Sequence, residues 1–192
     1  HGESEGSYIT FGVHERKDLL RWIEYHNEHF GTGDVFLGGM SMGAATVLYT
    51  AGEALPENVR GITADCGFSS PAEIMAHIIR KDFHLPPKLV LPLMEVWARV
   101  LGGFSLWGCS SRESLARSKT PVLFIHGKAD TFVPCHMSQT GYDACASEKE
   151  LLLVEGAGHG KSYLYEPDRL TGALVDFFNR HLSDEYILED NT

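Results

Sequence analysis

Apolar and polar residues follow one another along this chain in blocks whose period changes, and each change predicts an element. Between Val13 and Phe30, Leu19, Leu20, Ile23 and Phe30 recur with charges between them, the spacing of an amphipathic helix. "GTGD" at 31–34 stops that helix and turns the chain. "VFLGG" from Val35 is a short apolar run, the mark of a buried strand, and "MGAATVLYTAGEAL" after it is small, then apolar, and rich in helix formers. "VRGITADCG" at 59–67 reads as a second buried strand, and "PVLFIHG" at 121–127 as a third, its apolar run set between Pro and Gly. "CHMSQTGYDACAS" predicts a helix weakened by Gly141, "KELLLVEG" another strand, and Lys161–Leu182 a closing helix carrying Leu170, Leu174, Phe177 and Phe178. Residues 1–12, rich in Gly and Ser, read as a loop.

Near-continuous apolar strands separated by helices predict an α/β fold, a mostly parallel sheet with helices on both faces. One stretch breaks the alternation. Residues 71–118 are long, apolar and punctuated by prolines, whereas a plain crossover helix needs ~10–15 residues. The excess predicts a helical insertion over one end of the sheet. On that reading residues 1–70 and 119–192 form the core and residues 71–118 a helical cap. The alternative is a longer crossover made of two ordinary packing helices.

Composition narrows the function classes. The 192 residues suit one domain or most of one, and 43% are hydrophobic, enough for a sizeable core. Sixteen Lys and Arg against 26 Asp and Glu give a formal net charge of −10, which would repel a phosphate backbone and argues against nucleic acid as a partner. No apolar run approaches the ~18 residues that a membrane-spanning helix needs. Cys66, Cys109, Cys135 and Cys145 are scattered with no CxxC pair, so neither a metal framework nor a disulfide framework is expected; thiols in a reducing, cytoplasmic compartment are.

The chemistry gathers at three segments. Gly39-Met40-Ser41-Met42-Gly43 fits G-x-S-x-G between a predicted strand and a predicted helix. Glycines there let neighbouring backbone come close, and the sharp turn lifts the Ser41 hydroxyl above the sheet. The same turn aims the first helical amides, Met42 N–H among them, at one point, where a developing oxyanion would be stabilised. A serine hydroxyl needs a base to act as a nucleophile, and the base needs an orienting carboxylate. "LFIHGKADTFVP" puts Asp130 just past a strand, and "LLLVEGAGHGKS" puts His159 in a Gly-rich loop after the next. All three lie at the carboxyl ends of predicted parallel strands, the edge of an open α/β sheet where ligands collect. Asp65, ending its strand in "TADCGFSS", is a rival for the acid.

With "GGMSMGAAT", "PVLFIHGKADTFVP" and "EGAGHGKS" in these places, the chain resembles the α/β-hydrolase superfamily, and the chain order Ser, Asp, His is the one that class uses. "SYITFG" and "ADCGFSSP" narrow the resemblance to bacterial serine hydrolases related to esterases and to the serine aminopeptidase-like group, and "HGESEG" resembles the loop after the fourth strand of many members. The resemblance implies that the family's first strands, and the loop giving the second oxyanion donor, lie before His1. The strand at 36–38 would then carry an unpaired apolar edge, so the chain is expected to pair with its own preceding segment or to self-associate.

Together these readings predict a carboxylic ester hydrolase with Ser41 as nucleophile, His159 as base and Asp130 as its orienting acid, Met42 N–H in the oxyanion hole, a small-molecule ester as substrate, and no metal or cofactor. Phe68, Phe104, Trp107 and Phe132 are the expected substrate contacts, although apolar residues of the insertion such as Phe83, Leu89, Leu93, Met94 and Trp97 could equally form the insertion's own core. A peptidase or thioesterase with the same triad, or a truncated module without catalysis, are the alternatives.

Overall fold

Four parallel strands in the order β1-β2-β3-β4 organise the protein: β1 (Val35–Met40), β2 (Val59–Asp65), β3 (Val122–Gly127) and β4 (Lys149–Val154). The structure, a computed structural model, describes residue 3 and residues 5–183. The predicted loop at 1–12 is therefore described only in part, its residues 1, 2 and 4 lying outside the described residues.

Alternation along β3 shows how the sheet is covered. Val122 and Phe124 turn to one face and join Ile23, Leu37, Val47, Leu48, Ile62 and Leu115. Leu123 and Ile125 turn to the other and join Leu152, Val154, Leu170 and Phe177. Successive strand side chains point to opposite faces, so each face of β3 needs its own helices. On the first face these are α1 (Glu15–Phe30), α2 (Met42–Thr50) and α5 (Ser111–Leu115); on the second, α8 (Pro167–His181). Every residue of β3 is buried, as expected of a central parallel strand.

Two predicted elements differ in extent. The helix after β1 stops at Thr50, where Gly52 follows. The closing helix is broken in two: α6 (His136–Ala144) precedes β4, and after it come a single turn, α7 (Ser162–Tyr165), and then α8, which starts at Pro167. Proline lacks the N–H that a continuous helix would need and fits the first helical position instead.

Residues 71–118 hold two long helices besides α5: α3 (Pro71–Lys81) and α4 (Pro87–Gly102). The start of α3 is set by its sequence: the Ser70 hydroxyl accepts from Glu73 N–H at 3.1 Å and Pro71 opens the helix. Gly103 ends α4 in the left-handed region at φ 65°. α3 buries Ala72, Ile74 and Ile79, and α4 buries no residue fully. Phe68, Ala72, Ile74, Phe104 and Leu106 share one cluster with Tyr49 of α2 and with Val133 and Met137, so residues 71–118 pack against α2 and the residues after β3 through this cluster.

Candidate active site

Three chain reversals at the carboxyl ends of adjacent strands bring the chemistry together. At the end of β1, Ser41 sits at φ 54°, ψ −112°, in a region that residues with a side chain rarely occupy. The strain is held from both sides: Ser41 N–H donates to the Asp65 carbonyl of the next strand at 2.8 Å, and its own carbonyl accepts from Ala45 N–H at 3.0 Å, the first bond of α2. Gly39 is required by this turn, since a Cβ there would drive into the backbone of Gly43 and come within 2.6 Å of Ala44 N. Gly43 is not needed for space on its own account; a Cβ on it would meet nothing within 4 Å. Met42 opens α2, and its N–H is among those that have no acceptor within the helix.

His159 lies in the turn after β4. The Ser41 hydroxyl donates to His159 Nε2 at 2.9 Å, and His159 Nδ1–H donates to Asp130 Oδ2 at 2.7 Å. The imidazole is partly open to solvent while the Asp130 side chain is fully enclosed. The Phe132 ring meets His159 edge to face at 5.0 Å between centroids.

Asp130 follows β3 and is saturated with donors. Its Oδ1 accepts the N–H groups of Phe132 and Val133, both at 2.9 Å. Burial alone would push this carboxyl up, but the bonds from His126, His159, Val133 and Phe132 outweigh it and hold its pKa at about 2. His126 has a part the sequence reading missed. It is wholly buried on β3, with Nε2 at 2.9 Å from the Val133 carbonyl and 3.3 Å from Asp130 Oδ2. Both neighbours are acceptors, so Nε2 carries the hydrogen, and Nδ1 is left to accept from the Ser138 hydroxyl at 2.6 Å. A polar residue inside an otherwise apolar strand, four positions before the acid, was the available signal.

Asp65, the rival acid, lies elsewhere in the same neighbourhood. Its backbone carbonyl braces Ser41, and its carboxyl receives the Ser162 hydroxyl at 3.4 Å. Burial raises its pKa, against the opposing pull of His126, Ser162 and His159. The next residue, Cys66, is fully buried, and burial together with Asp65 pushes its thiol up to about 12. Cys66 Sγ, an Asp130 oxygen and a His159 nitrogen lie within 4.8 Å of one another. As a metal site this trio is poor, because a metal takes the thiolate and the other two groups are already bonded to each other.

The aromatic residues expected to touch substrate separate into two kinds. Phe68 and Phe104 are buried in the cluster shared by α2 and α3, where packing uses their rings. Phe132 and Trp107 are exposed, and Phe132 is the one in contact with His159.

The family described as alpha/beta hydrolase fold matches residues 2–116. The chain belongs to the α/β-hydrolase family. It is 30% identical over 164 residues to the uncharacterized protein YqkD of Bacillus subtilis (strain 168), covering 85% of this chain and 54% of the relative. The chain spans about half the length of the curated relatives it matches. Among solved structures it resembles the Pyrococcus furiosus esterase Pf2001, with a TM-score of 0.71 at 21% identity over 95% of this chain and 68% of that one. It also resembles the Pyrococcus horikoshii acylaminoacyl peptidase, with a TM-score of 0.66 at 20% identity over 90% of this chain and 28% of that one. At these identities the two structures share the fold.

Proposed function

We propose that this α/β-hydrolase chain carries the catalytic centre of a serine hydrolase that cleaves carboxylic esters. The observation behind the reading is the unbroken relay from the Ser41 hydroxyl through His159 to the enclosed Asp130 carboxylate, at 2.9 and 2.7 Å. His159 Nε2 takes the Ser41 proton as the oxygen attacks the ester carbonyl, and Asp130 holds the ring and stabilises its charged form. Met42 N–H, at the start of α2, faces the oxyanion of the tetrahedral intermediate. The protonated His159 gives its proton to the leaving alkoxide, which departs as the alcohol. Water, deprotonated by the same nitrogen, then attacks the acyl-serine and releases the acid, and the proton returns to Ser41.

Residues 71–118 serve as a cap on this reading. His77 Nε2 and Lys81 Nζ of α3 donate to the Thr131 carbonyl at 3.1 and 2.7 Å, next to the acid, and Phe132 offers an apolar wall beside His159. Short to medium acyl or aryl esters suit such a rim. A panel of p-nitrophenyl esters of increasing chain length tests the substrate class. Turnover on those esters that vanishes in Ser41→Ala is the expected result; better turnover on aminoacyl amides or acyl thioesters would move the reading to a peptidase or a thioesterase.

A further inference from the structure

Hydrolysis at Ser41 uses one imidazole, yet two converge on the same oxygen. Asp130 Oδ2 accepts from His159 Nδ1–H at 2.7 Å, and His126 Nε2 lies 3.3 Å from it. The two rings are held very differently. The His159 side chain, in the turn after β4, is 27% exposed, and a general base must gain and lose a proton in each turnover. His126 is wholly buried in β3, where its backbone pairs with Leu153 of β4. Its ring is gripped at both nitrogens: Nδ1 accepts from the buried Ser138 hydroxyl of α6 at 2.6 Å, and Nε2–H donates to the Val133 carbonyl at 2.9 Å. A buried ring with both nitrogens satisfied is the fixed member of the pair. It is also out of keeping with its strand, whose side chains from Val122 to Ile125 are all apolar.

The acid turn does not need His126 to hold its backbone. The N–H groups of Lys128, Ala129 and Asp130 donate to the carbonyls of Val154, Ala157 and Gly127 at 2.9, 3.0 and 3.1 Å. The Thr131 carbonyl accepts from His77 and Lys81 of α3. What remains free is the far end of the carboxylate. Its Oδ1 is pinned by Phe132 and Val133 N–H, but a carboxylate pinned at one oxygen can still rock about it and carry the other away from His159. His126 acts on both ends. Its Nε2–H faces Oδ2, and it fixes the carbonyl of Val133, the residue whose N–H holds Oδ1. Burial would raise the Asp130 pKa, and the bond from His126 leads those that hold it at about 2.

We propose that His126 is a positioning residue for the acid: braced by Ser138, it keeps Asp130 Oδ2 turned toward His159 Nδ1. The role rests on the function proposed above, since a carboxylate that orients no base needs no such support.

The test is the rate at which a fluorophosphonate labels Ser41, followed by intact mass in variants that unfold cooperatively. His126→Met fills much of the ring's place without a donor and should slow labelling by about tenfold to a hundredfold. The side-chain amide of His126→Gln reaches as far as Nε2 and should restore the rate to within about threefold of the parent. The amide of His126→Asn, one carbon shorter, reaches only the Nδ1 position beside Ser138 and should label as slowly as His126→Met. Gln against Asn carries the test if His126→Met does not fold, because the two present the same group and differ only in reach. A purely structural residue would slow labelling whatever stands at position 130, whereas a positioning residue acts only through the carboxylate. In the Asp130→Asn protein, His126→Asn should therefore slow labelling no further, within about twofold. Equal rates in His126→Gln and His126→Asn, or a full additional loss in the Asp130→Asn protein, overturn the proposal. A parent that is not labelled at Ser41 sinks the catalytic reading and takes the positioning role with it; a labelled parent whose rate the His126 variants leave unchanged overturns the positioning role alone.

Discussion

Two turns stand side by side at the carboxyl edge of the sheet and do opposite things. Met40 of β1 and Asp65 of β2 are paired in register, and the residue after each, Ser41 and Cys66, takes a left-handed backbone at φ 54° and 48°. Both side chains are potential nucleophiles near the same His159. Ser41 is followed at once by α2, which leaves its hydroxyl partly open and bonded to the imidazole. Cys66 is followed by a further stretch of chain before α3, is fully covered, and has its thiol held in the protonated range. On the function proposed above, what separates the reactive residue from the inert one is what comes next in the chain and how much solvent reaches it, not the positive φ they share.

Removing the hydroxyl should break the comparison most completely. Ser41→Ala is expected to lower kcat by about 10⁴-fold or more, measured on the best p-nitrophenyl ester. Asp130→Asn, which leaves the shape but presents an amide to His159 Nδ1, should cost somewhat less, roughly 10³- to 10⁴-fold in kcat with KM little changed. If kcat falls only a few-fold, Asp65 is carrying the acid's role. Gly39→Ala tests the turn rather than its chemistry. The added Cβ would meet the Gly43 backbone, and overpacking of that kind costs about 1–3 kcal/mol in chemical denaturation.

Acid should act on the same edge. The Asp130 pKa of about 2 is below its ordinary 3.8, so ionised Asp130 stabilises the folded state above about pH 4, and that contribution is lost as pH falls toward 2. Asp130→Asn should accordingly flatten this part of the stability-against-pH curve, read from melting temperatures. The smallest effect belongs to Cys66: Cys66→Ala should keep kcat/KM within about threefold, because a buried, protonated thiol contributes packing rather than reactivity. Fast modification of Cys66 by iodoacetamide at neutral pH would remove the contrast between the two turns.

Much of this edge was readable in the sequence. The strands announce themselves as apolar runs ended by Gly or Asp, and because all four are parallel, the loops after them fall on one rim; that rule, with the G-x-S-x-G spacing and the chain order of the family it resembles, put Ser41, Asp130 and His159 on one edge, where they hydrogen-bond. His126 was marked in the sequence only as a polar residue in an apolar strand four positions before the acid, and that mark does not say which carboxylate it faces. Phe68 and Phe104 look from sequence like Phe132, and only packing separates the two that fill the interior from the one that meets His159. The apolar pattern of α4 was equally silent about direction. Helical spacing reveals an apolar face but not whether protein covers it, and here the face of Leu93 and Trp97 is open. The break at Pro167 was marked in the sequence, although the apolar spacing on either side ran through it.

The most direct measurement is mass spectrometry of the protein after reaction with a fluorophosphonate, with the adduct mapped by peptide. One adduct on the peptide containing Ser41, formed at least about a hundredfold more slowly in His159→Ala, is the predicted result. An adduct at any other residue, or an unchanged labelling rate in His159→Ala, would contradict the account.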